Sequence, residues 1–314
     1  MYHPKCVHCR SSKTIKHGGK RWVCKRCHTT FSLERKDVRD RSAIMGYVED
    51  RSTYKRLGKR WHVHRSTAYR RVQRALTKRA TLLARTKQYL HLCDGVLVLD
   101  GKWIYIRGKL HTCFVAWDRG FKRPIHFLLK EGGEKELWYW KLLVDLERIG
   151  YKPKAFISDG IASLKEMLED RYPDLPHQRC TVHIFLAARA KVAWTRKADE
   201  RSELFIELLK RILWSRTLEQ SQHRLYALWE TRGLTRGERE ALQYIHPILK
   251  ECFVCRLQRF QSLKLPRSSN AIENVIGHIE ARLKTRRGNK SLIACEALVN
   301  DILLRVEEQA ITHN

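Results

Sequence analysis

Acidic residues are scarce in this 314-residue chain: 33 Asp plus Glu stand against 63 Lys plus Arg, a formal charge of +30. So large an excess of one sign repels itself, which argues against a protein without partners and points to a polyanion, nucleic acid above all. A ribosome-like structural role and a membrane-surface role are the competing outlets for that charge. Also lacking is any apolar run long enough to span a membrane, and the opening M-Y-H-P-K-C has no apolar segment of the signal-peptide kind. The expectation is a cytoplasmic protein with no membrane partner. Its length suffices for two or three domains and a sizeable core.

The ten cysteines do not read as a disulfide framework in such a chain, so their spacing decides their use. Cys6-V-H-Cys9 and Cys24-K-R-Cys27 are two C-x-x-C turns flanking a hairpin-length segment with Gly18 and Gly19. Each turn offers two thiolates, and four soft ligands suit one structural zinc ion in a zinc ribbon over 1-36. The segment between them, K-H-G-G-K-R-W-V, is basic with one aromatic, as phosphate contacts require. His8 and His28 read as surface or DNA-facing residues.

From Arg41 to Leu76 the apolar period turns helical. Ile44, Tyr47 and Val48 form one stripe and Tyr54 and Leu57 a second, with Val63 in a short turn. Ser66 is then the expected N-cap of a helix that buries Ala68, Val72 and Leu76 and exposes Arg65, Arg70, Arg71 and Arg74. A helix, a turn and a basic second helix make a helix-turn-helix, whose second helix enters the major groove of double-stranded DNA. A merely solvated basic helix is the plainer alternative. With a helical connector over Lys78 to His91, this domain spans 37-92.

G-V-L-V-L-D-G-K, from Gly95 to Lys102, reads as a strand buried on both sides that ends in Asp100 and Gly101. Ala155 to Gly160, A-F-I-S-D-G, repeats the design with Asp159. Strands over Gly95 to Ile106, Leu110 to Trp117 and Ile125 to Leu129 are followed by a helix from Glu134 to Ile149, closed by Gly150. The strand carrying Asp159 and a helix from Ile161 to Arg171 complete the series. Three meandering strands, helix, strand, helix is the order of an α/β core of ribonuclease H-like type, in which the first and fourth strands are neighbours. Asp100 and Asp159 should therefore meet. Ser268 to Arg287 is an amphipathic helix that buries Ile272, Val275, Ile276, Ile279 and Leu283 and lines Asn270, Glu273, Asn274 and Gly277 on another face. Glu273 is the third carboxylate; Glu280 competes with it but lies off that face. Lys284, Arg286, Arg287 and Lys290 trail toward a phosphate backbone. Three carboxylates suit two hard divalent cations, Mg with Mn as a stand-in, for in-line attack at a phosphodiester.

Between the second and third acids, His177-Q-R-Cys180-T-V-His183 offers half of a metal site. Cys252-F-V-Cys255 is the candidate other half, though its helical surroundings favour core packing. Ile184 to Lys250 reads as an all-helical insertion studded with Arg and Lys. Trp194, Trp214 and Trp229 are expected to anchor its core rather than stack on extruded bases. The core then runs over 93-183, the insertion over 184-266, and the C-terminal helices of the core over 267-314.

The order L-D-G at Asp100, S-D-G at Asp159, C-x-x-H at Cys180 and His183, a helical insertion and N-A-I-E at Asn270 to Glu273 resembles the DDE transposases of the Mutator-like superfamily, including bacterial insertion-sequence members. The resemblance covers about Gly95 to Leu304. It implies a catalytic triad of Asp100, Asp159 and Glu273, with Cys180, His183 and Asn270 supporting the site. It further implies strand cleavage and strand transfer at terminal inverted repeats of transposon ends and into target DNA, by a homodimer or higher multimer acting on nucleoid DNA. The chain departs from many such relatives at Ile276, where they carry Asn three residues after the acid. Two rival readings are a DNA-binding regulator with an inactive core and a structure-selective nuclease.

Overall fold

A computed structural model of the chain describes residues 4–6, 9–18, 21–32, 42–50, 52–194, 200–284 and 291–311; of residues 32, 193, 194, 284 and 307–311 only the backbone is described. His8, Gly19, Arg41, Arg286, Arg287, Lys290 and the side chains of Trp194 and Lys284 therefore lie outside the described residues. The chain divides into two compact units, Met1–Lys78 and Arg79–Asn314. No helix among the described residues is long and apolar enough to cross a membrane.

In the first unit, strands β1 (Thr14–Lys16), β2 (Arg21–Cys24) and β3 (Thr30–Ser32) form an antiparallel sheet. Its small core is Cys6, Cys24 and Phe31, with Trp22 packed against them. Three helices follow: α1 (Met45–Glu49), wound as a π-helix, α2 (Tyr54–Arg60) and α3 (Arg65–Thr77). Tyr47 stacks on Tyr54, and Tyr54 meets Tyr69 edge-on, so the three helices share an aromatic seam. Ala68, Val72, Ala75 and Leu76 are buried on α3. Its N-cap is not Ser66 but His64, whose Nδ1 accepts the Ser66 backbone N–H at 3.3 Å. The chain leaves the turn extended at His64, which puts that imidazole, rather than the Ser66 hydroxyl, at the open end of the helix.

The second unit is built on a five-stranded sheet of order β6-β5-β4-β7-β8. Helix α4 (Leu82–Gln88) leads into β4 (Val96–Ile106), β5 (Lys109–Asp118) and β6 (Arg123–Glu131), an antiparallel meander. Helix α5 (Glu136–Arg148) crosses back, and β7 (Ala155–Ser158) pairs parallel to β4. Helix α6 (Ala162–Arg171) and β8 (His177–Arg179), parallel to β7, complete the sheet. The alternation of β4 sends Leu97 and Leu99 into a core with Phe114, Leu142, Leu143, Leu146 and Phe156. The buried Asp118 carboxylate ties the entry of β4 together, accepting the N–H of Gly95 at 3.1 Å and of Phe121 at 2.7 Å and the hydroxyl of Tyr151 at 2.8 Å.

After β8 the chain becomes helical: α7 (Thr181–Trp194), α8 (Glu200–Leu213), α9 (Leu218–Trp229) and α10 (Arg236–Ile248), the last opened by a Thr235/Glu238 capping box. Their core holds Ile184, Phe205, Leu209, Leu225, Leu242 and Ile245. Trp214 and Trp229, expected as anchors of that core, are instead 39% and 37% exposed; each rests an edge or face on a neighbour, Phe185 and His246 respectively. Two 3-10 segments, Leu249–Arg256 and Gln258–Leu263, return the chain to the sheet. There Glu251 pairs with Lys165 and Arg179, and the Cys255 N–H donates to Gln178. Helices α11 (Asn270–Lys284) and α12 (Leu292–Ile311) close the unit, with Ile272, Val275, Ile276, Ile279 and Leu283 of α11 buried.

Candidate active site

The parallel register of β4 and β7 runs Val96–Ala155, Leu97–Phe156 and Val98–Ile157. Continued by two residues, it sets Asp100 level with Asp159. β7 ends just before Asp159, but β4 does not end in Asp100 and Gly101 as its sequence suggests: both stay paired with Val115 and Phe114 of β5, and the strand runs on to Ile106. The two glycines leave room for neighbours. A Cβ at Gly101 would lie 2.6 Å from the Glu134 carboxyl carbon, and one at Gly160, whose φ is +87°, would meet the Arg179 guanidinium. Arg179 Nε in turn donates to the Asp159 carbonyl at 3.2 Å.

Asp100 is 7% exposed, and its Oδ1 accepts the Gly101 N–H at 2.8 Å. Burial pushes its carboxyl up to about 7; the charges of Asp159 and Glu134 add to this, while His183 and the Gly101 N–H oppose it. Asp159 is half-buried and its Oδ1 accepts the Ile161 N–H at 3.4 Å.

His183, on the first turn of α7, links these acids to α11. Its Nε2 is 3.7 Å from Glu273 Oε1, and its Nδ1 is 3.4 Å from the Ser269 hydroxyl. The hydrogen bond with Cys180 raises its pKa to about 9 against the opposing effect of burial, with Asp100 and Asp159 adding to the rise. Cys180 is fully buried and accepts from Ser269 through both the backbone N–H (3.3 Å) and the hydroxyl (3.2 Å). Burial would push that thiol up, but the bonds from His183 and Ser269 outweigh it and bring it down. Asn270 opens α11 and is exposed. Glu280 is taken up in an ion pair with Lys102 of β4.

Glu134 is a further acid at this centre. It lies just before α5, which begins two residues later than its sequence pattern suggests, and its carboxylate is held by Tyr139 Oη (3.1 Å) and the Trp103 indole. Burial raises its pKa, and Asp159 raises it further. The clue in the sequence is Gly101, a glycine inside a long strand, which marks a close approach by another group.

Hard oxygen donors on neighbouring elements, one of them buried with its carboxyl driven up chiefly by that burial and further by like charge, have the chemistry that suits a divalent cation. The ligand atoms of Asp100, Asp159 and Glu273 do not all lie within 4.8 Å of one another; among the described residues only the four cysteines do. In that cluster, within the first unit, Cys6 Sγ is 3.6 Å from Cys27 Sγ and Cys9 Sγ is 3.5 Å from Cys24 Sγ. Tetrahedral zinc with bonds of about 2.3 Å wants edges of roughly 3.8 Å. The hydrogen bonds of Thr29 bring Cys27 down to about 6, toward the thiolate a metal needs. Cys252 is buried in the helical core and Cys255 is tied to Gln178, so neither joins Cys180 and His183 as a metal site among the described residues. On α3, Arg65, Arg70, Arg71 and Arg74 are all exposed.

The chain matches the family model described as "Transposase, Mutator family" over residues 84–310. No curated protein matches. Among solved structures it is similar to a Drosophila P element transposase strand transfer complex, at 12% identity over 92% of this chain and 83% of that one, with a TM-score of 0.33. A Mos1 mariner paired end complex with Mn is 14% identical over 72% of this chain and 80% of that one, with a TM-score of 0.21. Likeness at these levels carries no weight for the fold or the site.

Proposed function

The chain belongs to the Mutator family of transposases, and from that premise we propose a DNA transposase that cuts and joins strands at terminal inverted repeats through a triad of Asp100, Asp159 and Glu273. The observation that supports this reading is the register of β4 and β7, which, continued by two residues, brings the Asp-Gly dipeptide inside β4 level with the one that follows β7. His183 then spans from that pair to Glu273. The core is read as ribonuclease H-like, because the first and fourth strands are adjacent in the sheet and a helical insertion separates its last strand from the C-terminal helices.

Asp100, Asp159 and Glu273 would hold two Mg ions, or Mn in their place. When bound, such ions activate a water or 3'-hydroxyl for attack and neutralise charge on the departing oxygen. The chain's own part is positional. The Gly101 N–H fixes one oxygen of Asp100, and Cys180 with Ser269 orients His183, which holds positive charge among the acids. Asn270 supports the start of the helix that carries Glu273. The ribbon of 1-36, with zinc on Cys6, Cys9, Cys24 and Cys27, and the helix-turn-helix of 37-92, with Arg65, Arg70, Arg71 and Arg74, bind the ends as double-stranded DNA. Lys284, Arg286 and Arg287 are assigned phosphate contacts on the sequence alone. The segments 93-183 and 267-314 form the catalytic core around the insertion 184-266, and the enzyme works as a homodimer or higher multimer in the cytoplasm, on nucleoid DNA.

The test is to incubate the protein with Mg and candidate transposon ends and to map cuts and joins. Asp100→Ala, Asp159→Ala and Glu273→Ala should each bind the ends normally and neither cut nor join. An unmutated protein that binds ends but never cuts would favour a regulator, and cutting of branched DNA without regard to end sequence would favour a nuclease.

A further inference from the structure

Glu134 lies in the turn between β6 and α5, outside the triad, yet its carboxylate occupies the place where a side chain at position 101 would begin. A Cβ there would be 2.6 Å from its carboxyl carbon and 2.8 and 2.9 Å from its two oxygens. The residue next to Asp100 thus has no side chain, and Glu134 fills the vacated volume.

Its bonds leave a structural role thin. Tyr139 Oη and the Trp103 indole N–H are its donors, both neutral, and no Lys or Arg pairs with it among the described residues. It does not cap α5, whose N-cap Lys135 receives no side-chain bond and whose first turn takes none from Glu134. Half-buried carboxylates ordinarily find a cationic partner, because desolvating a lone charge is costly. Here the charged neighbours are Asp159, Asp100 and His183. Tyr139, 1% exposed and pinned edge-on against Phe114 at 4.8 Å, holds the carboxylate among them. Asp100 takes its hydrogen bond from the Gly101 N–H at Oδ1, while its Oδ2 is not among the fully buried unpartnered atoms and so is open to solvent or a ligand.

We infer that Glu134 is a fourth carboxylate ligand of the divalent-cation site, entering beside Asp100 through the gap left by Gly101 and held there by Tyr139 and Trp103. This rests on Asp100, Asp159 and Glu273 holding cations as proposed above. Two ions shared by three acids leave several coordination places to fill, and a fourth hard oxygen donor packed against Gly101, the residue next to Asp100, is placed to fill one.

The experiment is Mn2+ titration of the zinc-loaded, full-length protein without DNA, with free Mn2+ read by electron paramagnetic resonance. Glu134→Gln should weaken Mn2+ binding by about tenfold or more, the scale at which even supporting groups act. Glu134→Asp, which keeps the charge but withdraws it, should fall between that variant and the unmutated protein. Gly101→Ala keeps every acid and displaces only the Glu134 carboxylate, a flexible end that can move; it should also weaken binding, and it stands in should Glu134→Gln fail to fold. Unchanged Mn2+ affinity in Glu134→Gln or Gly101→Ala, alongside a loss in Asp159→Asn, would overturn the fourth ligand while sparing the triad. No loss in Asp159→Asn and Asp100→Asn would overturn the cation site itself, and Glu134 with it.

Discussion

Replacing Asp100 by Asn should make the magnesium-free protein more stable while abolishing its chemistry. Asp100 is 7% exposed and its carboxyl is pushed from 3.8 to about 7 by burial and by the charges around it. As pH rises through 3.8 the unfolded chain releases this proton while the folded chain still keeps it, so stability falls until about pH 7 and then levels. A shift of that size corresponds to about 4 kcal/mol at 1.36 kcal/mol per unit. Asn has nearly the same shape, can still accept the Gly101 N–H, and carries no charge to bury. In urea unfolding at pH 8, with zinc present and magnesium removed, Asp100→Asn should therefore exceed the unmutated protein by up to about 4 kcal/mol, and the difference should vanish near pH 4. Saturating Mg should close part of the gap from the other side, since a ligand at a hundred times its Kd stabilises by about 2.7 kcal/mol. Strand cutting should drop by about a thousandfold or more, the equivalent of about 4 kcal/mol of lost transition-state stabilisation. Equal stability of the two proteins at pH 8 without magnesium would refute the reasoning, because it would mean that the site carries no uncompensated charge.

Three further outcomes are expected. Cys24→Ser, or zinc removal by a chelator, should lower the bound zinc from one equivalent and release Trp22 from the small core it shares with Cys6, Cys24 and Phe31, read by its fluorescence; an intact Trp22 environment in zinc-free protein would count against a structural metal. His126 is buried on β6 and burial holds its pKa down at about 4, so the unfolded chain takes up this proton first as pH falls below 6.5. Its contribution, present above pH 6.5 and lost toward pH 4, is about 3 kcal/mol, and His126→Gln should flatten that part of the stability profile. Arg70→Ala and Arg71→Ala on the exposed face of α3 should each weaken DNA binding and reduce the slope of log affinity against log salt by about 1, measured by anisotropy; an unchanged slope would remove α3 from the interface.

Much of the scaffold was legible because its cues are local. V-L-V-L and A-F-I-S carry their own strand signal, and β7 stops just before its D-G as that motif suggests; β4 does not, running through Asp100 and Gly101 to Ile106 because β5 keeps pairing with it. The four-cysteine cluster needs only spacing and ligand chemistry. The misreadings are those in which a neighbour distant along the chain, or the direction of the backbone, decides. Ser66 has the better intrinsic preference for an N-cap, but the extended residue after the turn is His64, and position outranks propensity. Trp214 and Trp229 have the size of core anchors, yet the insertion closes on Leu, Ile and Phe and leaves both rings on its rim.

Glu134 shows the same limit at the site itself. In E-G-G-E-K-E three glutamates precede or open a helix, where acids are commonplace because they complement the helix dipole, and nothing in that stretch singles out the middle one. Gly101 does so from a distance. A glycine within an 11-residue strand weakens the strand unless something needs its space, and the something is the Glu134 carboxylate. The second D-G works in the same way, with Gly160 making room for the Arg179 guanidinium. In both motifs the glycine beside the proposed catalytic aspartate admits a second group to its side, so a residue counted as a turn former is also a statement about what stands opposite. Were Gly101→Ala to leave both Mn2+ binding and strand cutting unchanged, that coupling of the two halves of the motif would be wrong, and Gly101 would be no more than a bend in the strand.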